Sequence, residues 1–458
     1  MANKTREEID ENYDEAYDEA YDEAYDEKEL RREWRHKRRI RNQIIAYVVT
    51  GILMLCIIAA AGIGVHTAVT AMNDKKHAAE LQAQLEELEA TEPVVVEAPE
   101  PTQAPVEEEK SYLDEIVDSC ISEMPLEDKV KGLFIITPEA LTGTDVVVRA
   151  GDTTKEKLGE HPVGGLIYAQ QNLKSAEQIT EMLANTTSYS KYPLFLAVEE
   201  EGGSISRVAK AGLADNVGNM KTIGEGQDTA KAKEAGATIG GYLTGYGFNL
   251  TFAPVADVAM DGNKTIGDRS FGNNAGEVST MVAASVEGFT EGGVSACLKH
   301  FPGLGCTDED TQAGMASTEK TLEDFETTDF LSFQAGIDAG AEFVLVSHLS
   351  VPGITGDNTP SSLSGQMITD VLRGNLSFGG IVVTDAMNMA AITDYYTSDQ
   401  AAVMALQAGA DMILMPEDFE TAYKGVLEAV NNGTLSEERI NESLRRIYRV
   451  KYKDKVEE

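Results

Sequence analysis

A (β/α)8 barrel of the TIM type, preceded by one transmembrane helix and disordered segments, is the architecture the sequence predicts. Three observations predict it. Eight short apolar runs alternate with helix-length segments between Gly132 and Leu414. Several of these runs end on charged or histidine side chains, which barrel strands deliver to one rim. Upstream, residues 44–72 carry no Asp, Glu, Lys or Arg and lie between a basic run and a Pro/Glu-rich tract. A doubly wound open sheet is the competing architecture, since a count of strands does not establish closure.

The chain has 458 residues and a net charge of −39, spent unevenly. Residues 13–27 repeat Tyr-Asp-Glu-Ala with no apolar face beyond a tyrosine stripe, so residues 1–43 read as a disordered acidic tail with a basic end. An acidic stretch of this kind also suits recruitment of a cytoplasmic partner. Arg31, Arg32, Arg35, Lys37, Arg38, Arg39 and Arg41 then reverse the charge. The apolar segment that follows exceeds the ~20 residues a bilayer crossing needs, and it starts too late for a cleaved signal. Basic residues on its N-terminal side keep that side cytoplasmic, which predicts a single-pass cell-membrane protein with its C-terminal domain extracellular. Residues 73–110, with Pro93, Pro99, Pro101 and Pro105, read as an extended, self-repelling linker. Cys56 falls in the apolar segment, and Cys120, Cys297 and Cys306 have no framework spacing. A Cys297–Cys306 bridge is the one pairing their order allows close in sequence.

Residues 111–458 read as one globular barrel domain. Its expected strands are Gly132–Thr137, Gly165–Tyr168, Leu194–Val198, Asn249–Ala253, Ser295–Lys299, Glu342–Val346, Gly380–Val383 and Asp411–Leu414. No Gly-x-Gly-x-x-Gly opens a helix after a strand, which weakens a nucleotide-binding version.

The strand ends carry the chemistry. The third runs into Glu199-Glu200-Glu201-Gly202-Gly203 with Arg207 beyond; the fourth leads to Asp257 and then Asp268-Arg269-Ser270. The fifth ends on Lys299-His300, the sixth on Ser347-His348, the seventh on Thr384-Asp385. A lone Asp after a strand is commonly a helix N-cap. Five such ends together predict one polar bowl. Carboxylates beside Arg and Lys suit hydroxyl recognition, and a buried carboxylate suits attack on an anomeric carbon. No His-x-x-x-His or Cys-x-x-Cys spacing supports a metal, no cofactor is implied, and His161 reads as a loop histidine. A phosphate ligand would lack its Gly-rich helix start.

These residues are specific enough to carry a resemblance. The domain resembles glycoside hydrolase family 3, in particular its single-domain β-N-acetylhexosaminidases, from Met124-Pro-Leu-Glu-Asp-Lys129 to Tyr452. The landmarks are Gly164-Gly-Leu-Ile167, Glu201-Gly-Gly, Phe248-Asn-Leu-Thr-Phe-Ala-Pro-Val255 with Asp257, Arg269-Ser-Phe-Gly272, Lys299-His-Phe-Pro-Gly303, His348, and Thr384-Asp385 with Met389. The resemblance implies Asp385 as nucleophile of a retaining reaction, and Glu199, Arg207, Arg269, Lys299, His300 and His348 as sugar-binding residues. Glu199 stands where the family usually has Asp. The implied substrate is a terminal β-linked N-acetylglucosamine, in peptidoglycan fragments or other surface glycans; the acidic domain disfavours nucleic acid.

One departure bears on activity. The family's Lys-His-Phe-Pro-Gly-His-Gly and following Asp-Ser-His become Lys299-His300-Phe301-Pro302-Gly303-Leu304-Gly305 and Asp310-Thr311-Gln312. Leu304 and Gln312 thus replace two histidines, the second of which is the family's acid/base. Gln cannot transfer a proton near neutral pH. Asp310, crowded in sequence by Asp308 and Glu309, is the expected substitute. A hydrolase slowed at leaving-group protonation and a glycan-binding barrel without catalysis are the other readings the loop leaves open.

Overall fold

The computed structural model describes residues 111–453. The expected transmembrane helix at 44–72, the acidic tail and the linker lie outside the described residues. Among the described residues, no helix is long and apolar enough to cross a membrane.

Helix α1 (Tyr112–Ser122) opens the domain, its first turn capped by the Ser111 hydroxyl accepting from Asp114 N–H at 3.2 Å. Eight parallel strands then alternate with helices. They are β1 (Phe134–Ile136), β2 (Gly165–Tyr168), β3 (Phe195–Val198), β4 (Leu250–Thr251), β5 (Ser295–Phe301), β6 (Phe343–Val346), β7 (Ile381–Thr384) and β8 (Ile413–Leu414). Each expected run coincides with one, β5 and β7 extending beyond it to Phe301 and Thr384. Neighbours pair in chain order from β1 to β7, and β1 also pairs with β8. A parallel bridge between Val383 and Met412 joins β7 to the residues entering β8, so the sheet meets itself. That contact decides for a barrel and against an open sheet. Every residue of β1, β2, β3, β6, β7 and β8 is buried, as expected of strands covered on both faces.

The barrel is filled. Phe195 of β3 and Phe343 of β6 meet across its interior edge to face, with ring centroids 5.0 Å apart. Outside, α2 (Thr229–Tyr246) and α3 (Ala275–Glu291) cross closely at glycine. A Cβ on Gly288 would lie 2.2 Å from the Lys233 carbonyl, so no larger residue fits there without parting the helices. Helix α4 (Glu437–Tyr452) ties the end of the domain to its start through Arg445–Asp118 at 2.9 Å and Arg449–Asp114 at 2.6 Å. Cys120, Cys297 and Cys306 are all free thiols. Cys297 is sealed within β5 while the Cys306 thiol points to the Gly303 carbonyl at 3.2 Å, so the bridge their sequence proximity allowed does not form.

Candidate active site

A cavity of about 450 Å³ opens at the C-terminal ends of the strands, within the usual ~300–1,000 Å³ of a small-ligand site. Its wall includes Glu199, Arg207, Arg269, Lys299, His300, Asp310 and Asp385, which come from the ends of β3, β4, β5 and β7. Seven of the eight residues singled out in the sequence therefore share one space.

The floor is a row of alternating charge. Arg207 donates to Glu199 at 2.6 Å, and Lys299 lies 3.3 Å from Glu199 and 2.5 Å from Glu201. Arg269 grips Glu201 with two hydrogen bonds of 2.9 and 2.8 Å, the bidentate geometry favoured by guanidinium and carboxylate. Arg269 also reaches His300 Nε2 at 3.3 Å, and His300 Nδ1 lies 2.7 Å from Asp257. A carboxylate only accepts, so Nδ1 carries the proton and Nε2 receives from Arg269. Asp257 further accepts from Leu304 N–H at 2.6 Å.

Two features of the backbone produce this row. Along Glu199-Glu200-Glu201 the side chains alternate, so the first and third face Lys299 while Glu200 turns away. Glu200 instead accepts from Val208 and Ala209 N–H at 2.7 and 3.0 Å and from the Tyr242 hydroxyl at 2.8 Å, starting the short helix Arg207–Lys210. Burial pushes its carboxyl up, against those hydrogen bonds. In β5 the register shifts between Leu298 and Phe301, which lets consecutive Lys299 and His300 both join the network.

Electrostatics follow from the row. Burial opposes ionisation of Glu199, but the attraction of Lys299 and Arg207 outweighs it and holds this carboxyl at about 2. Glu201 is likewise lowered, with Lys299 and Arg269 prevailing over its burial. Burial works against the Lys299 ammonium, yet Glu201 and Glu199 raise it above its ordinary value. Lys299 is therefore a fixed cation.

Asp385 is nearly buried beyond the end of β7, and its Oδ1 accepts from Ala386 N–H at 2.8 Å. Among the described residues, no Lys, Arg or His forms an ion pair with it. A carboxylate that faces the cavity without a cationic partner is placed to act as a nucleophile.

Two expectations need correction. His348 does not line the cavity. Its ring is fully buried behind the wall, with Nδ1 2.7 Å from Ser362 Oγ and Nε2 donating to the Ala386 carbonyl at 3.0 Å. Both nitrogens are occupied, so His348 has nothing to offer a sugar and instead pins the backbone beside Asp385. Burial pushes its imidazolium down, with nearby Asp385 opposing. The crowding around Asp310 also dissolves. Asp308 turns to Lys264 N–H at 2.8 Å and Glu309 to Ser317 N–H at 2.7 Å, leaving Asp310 and Gln312 at the cavity.

The loop bearing Asp310 is held on both sides. Asn263 donates to the Thr307 carbonyl at 2.7 Å, and the Thr311 carbonyl accepts from Ala391 N–H at 3.1 Å. It thus bridges from the β4 side to the segment after Asp385. Glu201 and Asp257 are network members that the sequence reading left among its landmarks. The alternation through Glu199-Glu200-Glu201 was the available signal for the former. Among the described residues, no group of three or more His, Cys, Asp and Glu is placed to hold a metal.

Residues 125–450 match the glycosyl hydrolase family 3 N terminal domain. The chain belongs to glycosyl hydrolase family 3. This family 3 member is of the β-N-acetylhexosaminidase type, and the family's enzymes are O-glycosyl hydrolases. It is 31% identical over 293 residues to a β-hexosaminidase of Stenotrophomonas maltophilia, covering 62% of this chain and 85% of that one. It is 30% identical over 327 residues to β-hexosaminidase A of Pseudoalteromonas piscicida, 65% of this chain but only 54% of that relative's length. Among solved structures, the family 3 β-N-acetylglucosaminidase of Paenibacillus sp. str. FPU-7 superposes with a TM-score of 0.66 at 31% identity, over 73% of this chain and 64% of that one. A β-N-acetylhexosaminidase from Beutenbergia cavernae does so with 0.64 at 26% identity, over 72% and 99%.

Proposed function

We propose that this family 3 barrel is a retaining β-N-acetylglucosaminidase acting on glycans outside the cell membrane. The observation that carries it is the placement of Asp385, which forms no ion pair among the described residues, in the same cavity as the Glu199–Lys299–Glu201–Arg269–His300 row. The fixed charges suit sugar hydroxyls, which both donate and accept. Asp385 attacks the anomeric carbon as the glycosidic bond breaks, and Asp310 gives its proton to the departing oxygen. Asp310 then takes a proton from water, which displaces Asp385 from the sugar. Two inversions give net retention. The relatives' names support the β-linked N-acetylglucosamine specificity. The basic run before the apolar segment at 44–72 supports a single-pass anchor that leaves the barrel facing the wall, with peptidoglycan or other surface glycans as substrate.

Gln312 favours a second reading. It lines the cavity beside Asp310, where the family's histidine is expected, and cannot move a proton. Under that reading the barrel binds glycan and cleaves it slowly or not at all.

The deciding experiment is turnover of an activated aryl β-N-acetylglucosaminide and of a natural disaccharide by the full chain in detergent. Cleavage of both that is lost in Asp385→Ala, with the disaccharide selectively lost in Asp310→Asn, supports the hydrolase. Binding without cleavage of either substrate would leave the glycan-binding barrel. Cleavage of the aryl glycoside alone, with the disaccharide rescued by Gln312→His, would place the defect at the acid. Membrane fractionation and protease access from outside the cell test the anchor.

A further inference from the structure

Glu200 is the one glutamate of the 199–201 run that stays out of the charged row, and it does not line the cavity. It is fully buried, and among the described residues it forms no ion pair. Three donors close on its carboxylate instead: Val208 N–H at 2.7 Å, Ala209 N–H at 3.0 Å and the Tyr242 hydroxyl at 2.8 Å. An ionised carboxylate, accepting on both oxygens, satisfies all three. Burying one without a counter-ion is costly, and a short turn on the outside of a strand does not need it. What the turn carries is Arg207.

Arg207 is the first residue of that turn, Arg207–Lys210, and its side chain stands in the cavity wall. Its backbone is held by two consecutive glutamates. The Arg207 N–H donates to the Glu199 carbonyl at 3.3 Å, and the next two N–H groups donate to the Glu200 carboxylate. Its guanidinium has less support than that of Arg269. Arg269 binds Glu201 twice and also reaches His300, whereas among the described residues Arg207 pairs with Glu199 alone. The Arg207 side chain is also 31% exposed, so burial does not fix it. The place of its Cα therefore decides where its charge can reach.

The hold on that backbone extends to an outer helix. Tyr242 and Tyr246 lie one turn apart on α2 and face the same way. As Tyr242 donates to Glu200, Tyr246 donates to the Leu213 carbonyl at 2.5 Å. Glu200 and Leu213 flank Arg207 in the chain. Between them, Gly203 exchanges two hydrogen bonds of 2.8 Å with the Asn216 side chain and closes the hairpin that returns Arg207 to Glu199.

We propose that Glu200 is a positioning residue for sugar binding: together with Tyr242 of α2 it fixes the backbone of Arg207, and so the reach of the Arg207 guanidinium beside Glu199. This rests on Glu199 and Arg207 being sugar-binding residues. Glu200 itself touches no substrate, and no bond is made or broken at it.

The test is steady-state kinetics of the full chain in detergent on an activated aryl β-N-acetylglucosaminide, with the melting temperature followed in parallel. Glu200→Leu keeps the bulk and accepts nothing. It is expected to raise KM roughly tenfold while kcat stays within about twofold, the pattern of lost uniform binding. Glu200→Gln keeps one accepting oxygen and should recover most of that loss. Tyr242→Phe removes a single donor, should raise KM about threefold, and carries the test if Glu200→Leu does not fold. Coupling to Arg207 is the decisive readout. Arg207→Ala should raise KM at least as much as Glu200→Leu, and adding Glu200→Leu or Tyr242→Phe to it should cost nothing further. Losses that add, or a lower melting temperature with KM unchanged, would make Glu200 merely structural and overturn the proposal. Calorimetry of free N-acetylglucosamine on the same variants separates failure of the hydrolase. If nothing is cleaved but Kd shows the same non-additive loss, the positioning stands and hydrolysis falls. Additive or absent losses in Kd overturn the positioning, and no binding by the unaltered protein overturns both.

Discussion

Asp385 and His348 illustrate how one site divides its labour between residues that face the ligand and residues that hold them. His348 touches the Ala386 carbonyl and Ser362 but not the cavity. Its loss should therefore disturb where Asp385 sits, not how sugar is held. His348→Phe keeps the bulk and loses both hydrogen bonds, so kcat should fall by about 10–10² with KM little changed, and His348→Gln should recover part of it. Steady-state kinetics on an activated glycoside would read this, and an unchanged kcat would show that the ring merely fills space. Glu199 makes a pH prediction. Its folded value of about 2 lies below the ordinary 4.5, so its stabilising contribution is complete above 4.5 and is lost as pH falls from there towards 2. The difference in melting temperature between the protein and Glu199→Gln should be widest near neutrality and close over that window. A gap independent of pH would mean that the ion pairs do not stabilise the fold.

The end of β5 and the loop after it decide whether the site can work. Strand β5 gives Lys299 and His300, Leu304 N–H binds the same Asp257 that orients His300, and the following loop presents Asp310 and Gln312. Gly303 is the turn between them. Its φ is 138°, and a Cβ there would lie 2.4 Å from the Asp329 carboxyl carbon. Asp329 is itself buried against Lys320 at 2.6 Å and cannot easily retreat. Gly303→Ala should cost about 1–3 kcal/mol in denaturant unfolding, from backbone strain and this clash. It should lower activity beyond what the lost stability explains, because the displaced element carries both the sugar-binding pair and the acid. Full activity at unaltered stability would mean that the turn has room to relax.

At the scale of the molecule, closure at the base depends on Asp411. This fully buried carboxylate, just before β8, pairs with Arg373 at 2.5 Å and Arg446 at 3.0 Å. It also accepts from Ser443 at 2.8 Å and Val382 N–H at 2.9 Å, with Arg439 3.7 Å away. It thereby joins β7, the residues entering β8 and helix α4. Asp411→Ala would strand several guanidinium groups around an empty centre, a loss of about 3–5 kcal/mol for a broken buried pair. The fall should appear in the melting temperature of the barrel. A substitution that left it unchanged would show that the arginines find other partners, such as the carbonyls of Ala410 and Gly380 they already contact.

Local pattern was enough for the eight strands, because a strand buried on both faces must be a short apolar run bounded by turns, and each such run became one. It was also enough to bring Asp385, Asp310, Glu199, Arg207, Arg269, Lys299 and His300 to a common rim, since every strand of a parallel barrel delivers its end to the same face. Tertiary structure alone decided the rest. Whether the sheet closes rests on β8 pairing with β1, at the other end of the domain's sequence, while its entry also meets β7. Which of three consecutive glutamates enter the charged row depends on where Lys299 lies across the barrel. His348 ended behind the wall because Ser362 and Ala386 occupy both its nitrogens, and Asp308 and Glu309 left Asp310 because the backbone N–H groups of Lys264 and Ser317 took them. Side-chain type and spacing fix what a residue can bond; only the packed fold fixes which partner reaches it first.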